Sequence, residues 1–188
     1  DALKRLISST QDLGGTDTTT ADALTQYGYD KQDNLTTVID PTNGTTTYEY
    51  DDFGNLLTQA SPDTGTTTFT YDTAGNMLTR TDAKGQSFTY TYDALNRVMF
   101  INAPYPLDDI SYNYDTCTNG VGRLCGITQG NEVINYSYNA FGDISQHQGI
   151  GYRYDGLGRL ANMTYPSGDT VTYTYNVNGQ IEQVDAVI

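Results

Sequence analysis

Phe69-Thr70-Tyr71-Asp72-Thr73-Ala74-Gly75-Asn76-Met77 sets the pattern for the chain. Phe69 and Tyr71 lie two apart, so on an extended backbone both project from one face. The Asp72 side chain can accept from amides two residues on and so opens a turn. Gly75 supplies a left-handed conformation where a Cβ is crowded. Met77 is the first apolar residue after it and starts a return strand. Nine residues spell strand, tight turn, strand.

The same grammar recurs along the chain. Aromatic-x-Tyr triplets end at the anchors Tyr29, Tyr50, Tyr71, Tyr92, Tyr114, Tyr138, Tyr154 and Tyr175. The anchors are 21, 21, 21, 22, 24, 16 and 21 residues apart, and the triplets hold 15 of the 17 tyrosines, which rules out coincidence. Each anchor is followed by Asp or Asn, from Asp30 through Asn176. Four residues after the anchor stand Gly54, Gly75, Gly142, Gly158 and Gly179, or Asp33 and Asn96, all tolerant of positive φ. Two residues later comes an apolar side chain: Leu35, Leu56, Met77, Val98, Ile144, Leu160 or Ile181. A second turn follows, as in Asp40-Pro41-Thr42-Asn43-Gly44 and Ser61-Pro62-Asp63-Thr64-Gly65. Each unit is thus two strands and two turns. The expected fold is all-β, a tandem array of antiparallel hairpins forming a curled ribbon. Seventeen or so strands at about 4.8 Å make a flat ribbon about 80 Å wide, and open sheets rarely exceed about 10 strands without curling.

Two units are irregular. The fifth carries about four extra loop residues between Tyr114 and Leu124, and the sixth, from Tyr138 to Tyr154, is about five short. Residues 27–188 hold about eight repeats. Residues 1–26 are expected as a partial repeat plus a polar loop over 7–26. Asp1-Ala2-Leu3-Lys4-Arg5-Leu6 matches Asp93-Ala94-Leu95-Asn96-Arg97-Val98 in register, as expected of a length cut from a longer array.

Composition narrows the function. The net charge of −14, with 9 Lys and Arg against 23 Asp and Glu, argues against nucleic acid, which needs a basic footprint. The same charge disfavours anionic lipid surfaces, and no apolar run approaches the roughly 20 residues of a membrane helix. No signal peptide is visible in the sequence as it stands.

Each candidate for chemistry has a plainer reading beside it. The Asp row has the oxygens Ca²⁺ requires, yet each Asp sits in its own loop and turn formation explains every one. The Tyr ladder suits sugar stacking, and equally suits packing between neighbouring strands. His147, the only histidine, lies in the polar stretch Ser145-Gln146-His147-Gln148-Gly149 with no nucleophile motif, and is expected as a solvated or turn residue. One His and two Cys match no zinc spacing. Cys117 and Cys125 flank the enlarged loop on the two arms of one hairpin, so a cross-strand disulfide is geometrically open to them. Two buried thiols are the alternative; a catalytic Cys has no visible base. No catalytic, cofactor-binding or metal residues are assigned, and no enzyme activity is expected.

Tyr71-Asp72-Thr73-Ala74-Gly75-Asn76-Met77 and Tyr154-Asp155-Gly156-Leu157-Gly158-Arg159-Leu160 resemble the Tyr-Asp (YD) repeat of the RHS family, which includes bacterial RHS polymorphic toxins, C components of toxin complexes and teneurin ectodomains. The resemblance covers residues 27–188 and, weakly, 1–6. It implies a β-ribbon that spirals into a hollow shell around a toxin or effector domain of the same parent protein, exported to the cell surface or beyond. The family's core-associated segment with its self-cleaving aspartates is not seen in this sequence. The alternatives are a glycan- or receptor-binding module and a secreted protein whose open strand edges pair with copies of itself.

Overall fold

The computed structural model describes residues 1–11 and 23–188; the rest of the expected 7–26 loop, residues 12–22, lies outside the described residues. These residues form an all-β fold of seventeen strands and one 3₁₀ turn at Pro106–Asp108. Two compact units divide the chain, Asp1–Asn96 and Arg97–Ile188.

The first unit holds β1 (Ser8–Gln11), β2 (Ala23–Tyr29), β3 (Leu35–Ile39), β4 (Thr45–Tyr50), β5 (Leu56–Ser61), β6 (Gly65–Tyr71), β7 (Met77–Thr81) and β8 (Ser87–Tyr92). Each pairs antiparallel with the next. The second holds β9 (Val98–Asn102), β10 (Ile110–Tyr114), β11 (Leu124–Gln129), β12 (Glu132–Tyr138), β13 (Ile144–His147), β14 (Ile150–Tyr154), β15 (Leu160–Thr164), β16 (Thr170–Tyr175) and β17 (Ile181–Val187). These also pair antiparallel in chain order.

The polar segment departs from its expected loop. Ser8↔Gln26 through Gln11↔Ala23 is a four-residue antiparallel ladder, so both flanks of residues 7–26 are strand. Ser8-Ser9-Thr10-Gln11 has no apolar alternation to announce a strand; backbone pairing to β2 supplies what burial does not.

Hydrophobic contrast between faces is modest. On β4, Tyr48 and Tyr50 are half-buried while Thr47 and Glu49 are exposed. On β6, Phe69 and Tyr71 are half-buried while Thr66, Thr68 and Thr70 are exposed. Among the described residues no large side chain is fully buried, and the buried apolar residues are Ala103 and Cys125. Ladder hydrogen bonds and pairwise contact between adjacent strands therefore carry the fold, as in repeat arrays.

Seven of the long-turn hairpins have a bulge at one shared place. Tyr50 faces Leu56 while Glu49 faces Thr58, leaving Leu57 as the extra residue. The same shift occurs just before Tyr29, Tyr71, Tyr114, Tyr138, Tyr154 and Tyr175. A bulge bends its strand and increases the local twist.

Gly54, Gly75, Gly142, Gly158 and Gly179 have φ of +83°, +84°, +92°, +77° and +80°. Asp33 and Asn96 occupy the same turn position at +69° and +59°. A Cβ on Gly75 meets only Asn55 Oδ1 at 3.9 Å, so backbone conformation and not space holds glycine there. Gly75→Val is expected to destabilise by about 1–2 kcal/mol; an unchanged denaturation midpoint would contradict this turn geometry.

Candidate functional site

The site of this chain is its row of long turns and the seam that joins each turn to the next. The turn is built around one carboxylate. Asp72 Oδ1 accepts from the amides of Ala74 (2.9 Å) and Asn76 (2.8 Å), and Oδ2 accepts from Asn76 Nδ2 (2.9 Å). The Asp72 amide donates to Asn76 O at 2.9 Å, and Gly75 N–H donates back to Asp72 O at 3.1 Å. Asp30 with Asn34 and Asp51 with Asn55 repeat the arrangement. Arg159 takes the asparagine's place at Asp155, donating from Nε to Oδ2 at 2.7 Å. Where Asn replaces Asp, the partner changes so that donor still meets acceptor: Asn139 Nδ2 donates to Asp143 Oδ2 and Asn176 Nδ2 to Gln180 Oε1.

These hydrogen bonds favour the ionised carboxylate. The Asn76 side chain, then its amide, holds Asp72 below its ordinary range. The partner asparagine side chain is likewise the largest cause at Asp30 and Asp51. Asp155 is lowered first by the Arg159 amide and then by its guanidinium, and Asp115 first by its hydrogen bond from Arg97.

The seam explains the hydroxyl of the anchor. Tyr29 Oη donates to Leu6 O (2.9 Å), Tyr92 to Met77 O (2.8 Å), Tyr138 to Leu124 O (2.7 Å), Tyr154 to Ile144 O (2.9 Å) and Tyr175 to Leu160 O (2.7 Å). Met77, Leu124, Ile144 and Leu160 each open the return strand of the preceding hairpin, and Leu6 stands at the equivalent position of the sequence repeat, two residues before β1. Such residues also face their own hairpin's anchor across the ladder, Tyr71 opposite Met77 and Tyr154 opposite Leu160. The anchor thus packs within one unit and hydrogen-bonds to the unit before it. Burial raises the Tyr92 hydroxyl's pKa, with Tyr90 and Asp72 adding repulsion, so it stays a donor. Tyr92→Phe keeps the ring and removes this bond. It is expected to cost about 0.5–1.5 kcal/mol, measurable by equilibrium unfolding; a neutral change would deny the hydroxyl a role in the seam.

A second seam element is the residue after the turn glycine. Where it is Arg it lies over the next anchor's ring: Arg5 over Tyr29 (4.9 Å), Arg97 over Tyr114 (4.3 Å), Arg123 over Tyr138 (5.4 Å) and Arg159 over Tyr175 (4.3 Å). Arg97 also reaches Asp115 at 2.5 Å. The recurrence of Arg at this position, as Arg5, Arg97, Arg123 and Arg159, is visible in sequence, but its partner, one repeat away in space, is not. In the partial repeat, Lys4 occupies the glycine position at φ +64° and Asp1 Oδ1 accepts from the Leu3 and Arg5 amides.

The remaining candidates sit apart. Cys117 and Cys125 form a disulfide with Cα atoms 5.4 Å apart. His147 is the last residue of β13 and not a turn residue. The shortened sixth unit brings it directly opposite Tyr136, and the rings stack 4.8 Å apart at 9°. Among the described residues no three side chains of metal-ligating type converge. Phe53 and Phe141 stand almost fully exposed at two turn tips, each beside an open groove along the neighbouring turn.

A family model described as RHS Repeat matches residues 29–66, 50–87, 71–99 and 154–186, together more than half of the chain. No curated protein matches the chain. Among solved structures, a crystal structure of TcdB2-TccC3 matches with a TM-score of 0.78 at 18% identity, over 100% of this chain and 12% of that one. A crystal structure of TcdB2-TccC3 without its hypervariable C-terminal region matches at 0.77 and 19%, over 100% and 11%. The Tc holotoxin pore of Photorhabdus luminescens matches at 0.72 and 18%, over 89% and 10%. This chain therefore spans about a tenth of the length of those chains.

Proposed function

We propose, from the premise that this chain belongs to the RHS repeat family and is a structural segment of such repeats, that it is a length of wall in an exported toxin-like protein. The wall encloses or presents an effector domain of the same parent polypeptide, and the segment itself catalyses nothing.

The observation that carries this reading is the seam. Five anchor hydroxyls bind a backbone carbonyl of the preceding repeat, four of them the carbonyl that opens its return strand. The array's polar groups are spent on holding hairpin to hairpin, with turn carboxylates closing their own loops. A wall needs that kind of contact; a catalyst needs convergent groups. A bulge just before the anchor in seven long hairpins supports a ribbon that bends in one sense and so curls. The likeness to TcdB2-TccC3 supports the fold of such a wall, and the hypervariable C-terminal region named for that protein fits a shell with exchangeable contents.

Enclosure is tested by protease protection in the complete parent polypeptide. The effector domain is expected to resist cleavage under native conditions and to become cleavable when the repeats are opened by denaturant. An effector digested at the same rate in both conditions would overturn enclosure.

A further inference from the structure

The enlarged loop of the fifth repeat is more than a closed excursion. It folds onto the next hairpin. Tyr138 N–H donates to Thr118 O at 3.1 Å, and Asn119 Nδ2 donates to Tyr138 O at 2.9 Å. Both backbone groups of one anchor residue are thus taken by the tip of the preceding loop. The cross-strand ladder between β11 and β12 runs only from Gln129↔Glu132 to Gly126↔Asn135, so the loop tip continues the contact where the ladder has stopped. Arg123 adds its guanidinium over the Tyr138 ring and binds the loop carbonyls of Asn119 and Val121.

The disulfide holds that tip down. Thr118 and Asn119 directly follow Cys117, whose sulfur is tied to Cys125 on β11. Gly120 is buried against both sulfurs, so that any side chain there would collide with them. The loop neck has its own bond, Asp115 N–H to Arg123 O at 3.1 Å. Breaking the disulfide therefore frees the tip before it frees the neck.

We propose that Cys117–Cys125 is a redox-sensitive clamp between two neighbouring hairpins, opened by a dithiol reductant. Cys125 is buried at 5% exposure while Cys117 is half-buried, so Cys117 Sγ is the sulfur attacked. The attacking thiolate bonds to Cys117 Sγ and the S–S bond breaks, with Cys125 leaving as thiolate. The Cys117 amide donates to Cys125 Sγ at 3.0 Å, which suits the sulfur that takes up charge. The reductant's second thiol then attacks the mixed disulfide. Cys117 is released, the reductant is oxidised to its own disulfide, and both cysteines end as protonated thiols. The tip loses its tether, and the Tyr138 backbone groups return to solvent. The change is confined to one seam of the array, since the other hairpins hold no cysteine.

Residue-resolved hydrogen exchange on the folded chain, before and after addition of a dithiol, tests the clamp. The Tyr138 amide is expected to exchange at least about tenfold faster when reduced, while Val171 and Tyr173 amides in β16 hold their rates. Trypsin cleavage after Arg123 should accelerate in parallel. The C117S/C125S variant should match the reduced protein whether or not dithiol is present. If that variant does not fold, wild-type protein reduced and alkylated in its folded state gives the same comparison. Unchanged Tyr138 exchange on reduction would overturn the clamp. So would equal acceleration of Tyr138 and Val171, which is the result of a global staple, and so would two free thiols in protein purified without reductant.

Discussion

Asp72→Ala is expected to lower the thermal midpoint by about 5–10 °C, with the loss concentrated in the β6–β7 hairpin. The substitution removes the acceptor for two amides and for the Asn76 side chain at once. Those donors then face water in a turn whose backbone was set by the carboxylate. The same turn also touches its neighbour, because Asn76 Nδ2 donates to Asn96 Oδ1 at 2.9 Å. Asp72→Asn tests the chemistry more finely. The side-chain amide it introduces would point a donor at the Asn76 donor, and Asn76 cannot turn over freely while bonded to Asn96. Asn76→Asp restores the match with residue 72, giving the pair that Asn139 and Asp143 already form, at the cost of the donor to Asn96 Oδ1. D72N/N76D should therefore recover part of what D72N alone loses, a favourable coupling in a double-mutant cycle. Additive losses would show that charge, and not donor-acceptor matching, governs the turn.

Acid should unfold this chain through those same turns. Asp30, Asp40, Asp51, Asp72, Asp115 and Asp155 are each held below the ordinary carboxylate range when folded. A carboxylate with a lowered folded pKa contributes stability that is complete above its unfolded value, about 4, and is lost as pH falls through the folded value. The thermal midpoint is expected to be level from neutral pH to about 5 and to fall steeply below about 4. A second effect acts the other way. At neutral pH the chain carries −14, and protonation relieves that repulsion. The two effects differ in sign, so a titration of midpoint against pH decides between them. A fall below pH of about 4 gives the turns the larger part; a rise gives it to net charge.

The repeat is legible in the sequence because its turn residues have few substitutes. Only Gly, Asn and Asp accept positive φ readily, so Gly54, Gly75 and Asn96 disclose the turns in sequence alone. Strands follow from aromatic and Thr alternation between those turns. Three features are not legible. The Tyr92 hydroxyl reaches Met77, fifteen residues back, and periodicity shows that an aromatic recurs without showing what its oxygen bonds. The Arg97 guanidinium lies over Tyr114, a partner set by which hairpin stacks on which. Ser8–Gln11 is a strand with no burial contrast to mark it. His147, expected as a solvated or turn residue, is the partly exposed end of a strand, and its stacking is not legible for a related reason: the shortened repeat puts the ring in ladder register with Tyr136.

Whether these hairpins are consecutive courses of a wall is tested most directly by electron cryomicroscopy of the complete parent polypeptide, tracing the path of residues 23–188 relative to the effector domain. One continuous ribbon is expected, with each anchor Tyr against the preceding hairpin's return strand and the effector on the ribbon's concave side. A segment that folds as a detached domain, with the effector outside and the ribbon uncurled, would contradict it.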